Sequence, residues 1–222
     1  MKKRSLILIA ALTAVLVVSA TVVGTLAYLL DEEQAVNTFT VGNVSISLNE
    51  TDVDGDGDTQ ANEYHLVPGA EYVKDPTVTV DARSESSYVR MILTVHNCSA
   101  VQAIIDDEIN GLADYADLLG GWDETVWLYQ GFAHDADANT ISFEFRYHTT
   151  VDGFDAEGNA ADEVLPALFT TLILPDTLDG ADLKSLVDGD FKMVVEAHAI
   201  QALGFENNED GAWAAFEEQI SR

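Results

Sequence analysis

The sequence predicts a mainly β protein, a two-sheet antiparallel β-sandwich carrying one or two short helical insertions behind an N-terminal signal helix. Three observations predict it. Apolar and polar residues alternate with a period of two in several segments, Gly, Pro, Asp and Asn fall between those segments, and only two stretches show helical spacing. Successive side chains of a strand point to opposite faces, so alternation marks a sheet with one buried face and one wet face. With 222 residues, 47% of them hydrophobic, the chain buries a core without needing covalent staples.

The elements follow in order. Lys2, Lys3 and Arg4 precede an uncharged run from Leu6 to Leu30, the pattern of a secretory signal peptide over residues 1–27. Thr25 and Ala27 occupy the −3 and −1 places for a cut between Ala27 and Tyr28. At about 1.5 Å per residue the run also has the length to span a bilayer, which makes an uncleaved signal anchor the alternative. Cleavage leaves residues 28–222 as a single sandwich domain. Val44, Ile46 and Leu48 form the first alternating row, and Val89, Met91, Leu93 and Val95 form the next long one. Ile141, Phe143, Phe145 and Tyr147 give a third, and Phe191, Met193, Val195, Ala197 and Ala199 a fourth. Shorter strands are expected at Val78–Val80, Val126–Tyr129 and Leu168–Leu174.

Helical spacing appears twice. Val101, Ile105, Ile109, Leu112, Ala116 and Leu119 make one apolar stripe, which Gly111 interrupts, so it reads as one helix or as two shorter ones. Trp213, Phe216 and Ile220 line a C-terminal helix after Asp210, a plausible N-cap. Both stripes are expected to face the core.

Charge narrows the function. Ten Lys and Arg against 39 Asp and Glu exclude non-specific nucleic-acid binding, which needs cations to displace phosphate counterions. The same balance opposes docking on anionic lipid, so membrane contact is expected only before cleavage. Loss of residues 1–27 removes three cations and no anion, leaving seven cations against 39 anions. Such a surface stays soluble and attracts divalent cations or salt. The single cysteine, Cys98, excludes an intrachain disulfide and a cysteine-based zinc cluster, and a small packing role is expected of it.

The most pointed motif runs from Asp52 to Glu63. Asp52, Asp54, Asp56 and Glu63 satisfy D-x-[DN]-x-[DN]-G-x₅-E, with Gly57 at the turn and Asp58 beside it. Calcium is a hard cation that takes six to eight oxygens, and closely spaced carboxylates around flexible glycines supply them. Pro68 and Gly69 downstream argue against an exiting helix, so a helix-flanked EF-hand is not expected. The plain alternative is a solvated Asp/Gly hairpin loop. Acidic segments at Asp152–Glu163 and Glu206–Asp210 read as exposed turns. Catalytic patterns are missing: His65, His96, His134, His148 and His198 are scattered, and there is no H-E-x-x-H pair, nucleophile elbow or phosphate-binding glycine loop.

Several blocks together resemble the TasA/camelysin family of secreted fibre-forming proteins. Gly24-Thr25-Leu26-Ala27-Tyr28 is similar to that family's cleavage site, and Asn37-Thr38-Phe39-Thr40-Val41-Gly42-Asn43-Val44, followed by Ser45 to Leu48, to its first strands. Val67-Pro68-Gly69, Lys74-Asp75-Pro76 with the strand to Val80, and Ser87-Tyr88-Val89-Arg90 resemble the next block. Glu196 to Ala202 and Ala212-Trp213 resemble the closing strand and helix. The resemblance implies a jelly-roll sandwich, export through a signal peptidase, and a structural role in surface fibres or biofilm matrix with the chain itself as partner. It also implies assembly by strand donation through residues 28–36, where Tyr28, Leu29, Leu30 and Val36 supply apolar side chains for an open sheet edge. Camelysin carries a metalloprotease label, which no zinc motif here supports. A camelysin-like protease and a monomeric calcium-dependent adhesin are the alternatives. The long acidic insertions depart from TasA.

Overall fold

The computed structural model describes residues 43–59, 62–105 and 111–221; the signal helix, the Ala27–Tyr28 cleavage site and segment 28–36 lie outside them. Period-two alternation becomes mainly antiparallel sheet, as expected. Strands β4 (Ser87–His96), β6 (Trp127–Asp135), β7 (Thr140–Tyr147) and β10 (Met193–Gln201) form a four-stranded sheet in the order β10-β4-β7-β6. Two three-stranded sheets accompany it, so the described residues form three sheets where the alternation predicts two. One holds β1 (Ile46–Asn49), β3 (Thr77–Val80) and β8 (Glu163–Val164) in that order, and the other holds β2 (Glu71–Val73), β9 (Thr171–Ile173) and β5 (Leu119–Gly120) in that order.

Register explains the core. Leu93 stands between Val195 of β10 and Phe143 of β7, and Met91 between Ala197 and Phe145. Small side chains on one flank thus make room for rings on the other. Val89, Met91, Leu93 and Val95 are buried together with Val44, Ile46, Val78 and Val80 of the β1-β3 pair and Leu119 and Leu172 of the β5-β9 pair. One apolar cluster therefore joins the large sheet to both small ones. Trp127 is fully buried, and its indole N–H donates to the Pro166 carbonyl at 2.9 Å, so its polar atom is satisfied.

Strands β2, β5 and β8 escape sequence reading because two or three residues cannot display a period. Strand β6 runs on to Asp135, past the expected end at Tyr129. A bulge between Tyr129 and Gly131 and the exposure of its far half break the alternation there.

The first helical stripe is split. Helix α1 (Cys98–Ile105) and the single turn α2 (Leu112–Tyr115), followed by a 3-10 turn at Ala116–Leu118, stand on either side of Gly111. Gly111 adopts φ 93°, and a Cβ there would come within 3.1 Å of the Phe132 ring, so both backbone and space select glycine. Helix α3 (Gly180–Asp188) has no counterpart in the sequence reading. Asp179 accepts from the amides of Ala181 and Asp182 at 2.7 and 3.0 Å while Asp182 accepts from the Asp179 amide at 2.9 Å. This is a capping box with aspartate in the usual glutamate place.

The C-terminal helix α4 (Glu209–Ile220) corrects the expected cap: Asn208, not Asp210, is the N-cap, accepting from the Gly211 amide at 3.2 Å. Glu209 and Asp210 lie in the first helical turn, where their charges meet the positive helix end. The exposed turn expected over Glu206–Asp210 therefore ends at the cap.

Helix α4 covers the outer face of the large sheet. Ala212, Trp213 and Phe216 pack with Ile200 into a second, smaller cluster. Beneath them Arg90 of β4 has a side chain only 6% exposed, its guanidinium 4.5 Å from the Trp213 ring and 5.1 Å from that of Phe216. Its Nε donates to His198 Nδ1 at 3.1 Å, and its terminal nitrogens meet Glu144 at 3.6 Å and Glu217. Arg146 beside it donates to Glu144 and to Asp210, both at 2.6 Å. An outer sheet face that alternation marks as wet is thus partly closed by a helix and charge pairs.

Burial, then the adjacent Arg90 charge, pushes the His198 imidazole down to about 4, with Glu217 opposing. Its folded value lies below its ordinary 6.5, so its contribution to stability is complete above about pH 6.5 and is lost as pH falls toward about 4. Urea titrations should show the gap between wild type and His198→Gln narrowing across that window; a gap constant with pH would contradict the assignment.

Cys98 is buried at the start of α1, its thiol 3.4 Å from Asn139 Oδ1, and burial pushes the thiol pKa up. Serine keeps a donor of similar size in place. Cys98→Ser should cost about 1–2 kcal/mol, a few degrees in melting temperature, with a collapse of folding as the contrary result.

Candidate metal-binding loop

Strand β1 delivers the chain to the acidic loop, and β2 receives it. No helix flanks the loop on either side in the described residues, so its framework is sheet, as the prolines and glycines imply. The base is fixed by two contacts that sequence reading missed. Lys74 Nζ pairs with both Glu50 carboxylate oxygens at 2.7 and 3.0 Å, with both side chains under one-tenth exposed. Asp75 accepts from the Thr51 amide and hydroxyl, both at 2.7 Å. Removing one partner of such a buried pair leaves the other charge uncompensated, so Lys74 anchors the loop to the β2–β3 connection. The signal was present as the only lysine in a long acidic stretch, but its partner lay 24 residues away.

Tyrosines close the lower side. Tyr64 Oη donates to the Val73 carbonyl at 2.7 Å, and its ring meets Tyr72 edge-on at 5.5 Å. Tyr72 Oη donates to the His65 carbonyl at 2.7 Å and accepts from the Val67 amide at 2.6 Å. Burial, followed by the Glu50, Asp75 and Asp54 carboxylates, pushes the Tyr64 phenol up to about 12. It stays a neutral donor.

Above this base the loop winds around its own carboxylates. Asp52 accepts from the amides of Gly55 at 2.6 Å and Gly57 at 2.9 Å. Asp54 accepts from those of Asp56 at 3.2 Å and Glu63 at 2.9 Å, and Asp56 from that of Asp58 at 2.7 Å. Gly57 adopts φ 88°, the sharp turn that the sixth place of a calcium loop demands. The amides of Glu63 and Asp56 hold the exposed Asp54 carboxyl below its ordinary value, so it is ionised throughout the neutral range.

Asp52, Asp54 and Asp56 bring carboxylate oxygens within 4.8 Å of one another, the one such gathering of three or more ligating side chains among the described residues. Asp58 and Glu63 are outside that trio, although their amides are bonded into it. The donors are all hard oxygen, the set that suits calcium or magnesium rather than zinc. His65, His96, His134, His148 and His198 do not join it. The acidic segment expected as an exposed turn over Asp152–Glu163 is organised by Asp155, which accepts from the amides of Glu157 and Asn159 at 3.0 and 2.8 Å, but Gly153 within it is buried and Glu163 already belongs to β8.

The family model described as camelysin metallo-endopeptidase matches residues 1–74, one third of the chain, in agreement with the TasA/camelysin resemblance. No curated protein and no solved structure matches it.

Proposed function

We propose that this chain, whose N-terminal third matches the camelysin family, is an exported cell-surface protein that assembles into fibres by donating its N-terminal segment to a neighbouring copy. The observation that carries the reading is where the match falls. It spans the leader, the segment freed by cleavage, β1, the acidic loop and β2, and stops at Lys74, the residue that anchors the loop. The part held in common is therefore the part that export and donation use. Among the described residues each of the three sheets ends in edge strands, with β6 and β10 the longest at nine residues each, and an edge offers N–H and C=O groups to an incoming strand. Size-exclusion chromatography and negative-stain microscopy of protein beginning at Tyr28 test this. Fibres are expected; a monodisperse monomer would count for the adhesin alternative.

The proposed role is non-catalytic, although the family description names a metallo-endopeptidase. The trio Asp52, Asp54 and Asp56 offers carboxylate oxygen, whereas a catalytic zinc is usually held by imidazole or by imidazole with one carboxylate. A casein assay should show no turnover; cleavage abolished by a chelator would contradict the reading.

Calcium is the proposed ligand of the loop, held by Asp52, Asp54 and Asp56 with Glu63 and the Asp58 carbonyl completing the pattern of that motif. Bound there, its two positive charges would offset most of the repulsion among the three clustered carboxylates and stiffen the loop. Loops of extracellular modules bind at about 10⁻⁴–10⁻³ M, so calcium at ten- to hundredfold excess should add about 1.4–2.7 kcal/mol of stability. Calorimetry should register binding at millimolar calcium in the mature protein and none in Asp54→Ala. Absence of heat in both would remove calcium from the account.

A further inference from the structure

Three Asn-x-Ser/Thr triplets lie among the described residues: Asn43-Val44-Ser45, Asn49-Glu50-Thr51 and Asn97-Cys98-Ser99. Each satisfies the acceptor pattern for N-linked sugar, with no proline between asparagine and hydroxyl residue. The fold treats them differently.

Asn97 is 8% exposed, and its Nδ2 donates to the carbonyls of Ser185 at 3.0 Å and Leu186 at 3.4 Å in α3. The space beside that nitrogen is filled: a Cβ built on Gly189 would lie 2.0 Å from it. A sugar there would break the α1–α3 contact. Asn43 is exposed, but its Nδ2 donates to the Arg83 carbonyl at 3.2 Å. Asn49 is the exposed last residue of β1; its Oδ1 accepts from Thr59 Oγ1 at 3.0 Å, and its Nδ2 has no hydrogen-bond partner among the described residues.

We propose that Asn49 is a site of N-linked glycosylation. The donor class is an oligosaccharide activated on a polyprenyl phosphate or pyrophosphate. In the transfer the Asn49 amide nitrogen forms a bond to the anomeric carbon, the bond from that carbon to the phosphate oxygen breaks, the lipid phosphate leaves with the electron pair, and the amide proton passes to a base of the transferase. The product keeps Oδ1 as acceptor for Thr59 and one N–H on the nitrogen, so the loop's hydrogen bonding survives modification. Thr51, the hydroxyl residue that a transferase must read, is engaged by Asp75 through both its amide and its hydroxyl in the folded protein. The sugar is therefore added while the chain emerges from the membrane, before the loop docks on Lys74 and Asp75. This rests on the export reading, because such donors are presented on the outer side of the membrane.

The test is intact mass and glycopeptide mapping of the full chain exported by its own cells, as wild type, Asn49→Gln, Asn43→Gln and Ser99→Ala. The expected result is sugar on the peptide that contains Asn49, lost in Asn49→Gln and retained in Ser99→Ala and Asn43→Gln. Exported protein of unmodified mass, or sugar confined to Asn43 or Asn97, overturns the proposal while leaving export intact. A chain found only inside the cell overturns export and this proposal with it.

Discussion

Deleting Tyr28–Ala35 from the mature chain is expected to abolish fibres entirely while leaving the β-sandwich folded. The two readouts separate because the residues serve separate ends. Among the described residues the core runs from Val44 onward, with Val89, Met91, Leu93, Phe143 and Phe145 fully or almost fully buried. Tyr28, Leu29 and Leu30 would contribute on the order of 1.5–3 kcal/mol each when buried on a neighbouring subunit, before the cost of ordering the segment. Losing three such side chains together with their backbone pairing leaves little to hold an interface. Circular dichroism and melting temperature should match the full mature chain within error, and microscopy should show single particles. Fibres that persist unchanged would remove this segment from the account.

Arg90→Ala is expected to have the largest effect on stability of any surface-face substitution. The guanidinium occupies the space between the large sheet and α4, stacked under Trp213 and Phe216 and bonded to His198, Glu144 and Glu217. Truncation leaves a hole beneath two rings and takes the cation from Glu217, while Glu144 keeps its closer pair with Arg146. Glu217 is half exposed and recovers hydration, so the loss should be about 2–3 kcal/mol, below the 3–5 kcal/mol of a fully buried pair. For a domain of this size that is roughly 5–10 °C in melting temperature. Trp213 fluorescence should shift to the red as α4 loosens. Arg90→Lys should recover little, because an ammonium lacks the planar fork that stacks and bonds at once. Lys184→Ala offers the control: its pair with Asp188 is mostly exposed and should count for less than about 0.5 kcal/mol.

The long strands were legible because each is buried on one face only. In β4 the residues Val89, Met91, Leu93 and Val95 face the core, and in β7 Ile141, Phe143 and Phe145 do, so period two is written in the sequence. Legibility fails where the physics changes. Arg90 and Ile200 sit on the polar-phase face of their strands yet are buried, because α4 folds over them from more than a hundred residues away in the case of Arg90. Nothing local to Arg90 announces that contact. Helix α3 carries a weak apolar face with only Leu186 buried, so its cap is stronger evidence than its stripe. The acidic loop is the reverse case. Its ligand spacing and glycine turn are entirely local, and Asp52, Asp54 and Asp56 do converge. Its anchorage through Glu50–Lys74 and Thr51–Asp75 is non-local and could be found only in the fold.

Electron microscopy of the protein after authentic removal of residues 1–27, set beside the uncleaved chain in detergent, tests the central claim most directly. The account predicts fibres from the chain that begins at Tyr28 and none from the chain whose leader still tethers the donor segment. Single particles from the matured chain, across the concentrations and calcium levels at which it is exported, would contradict it.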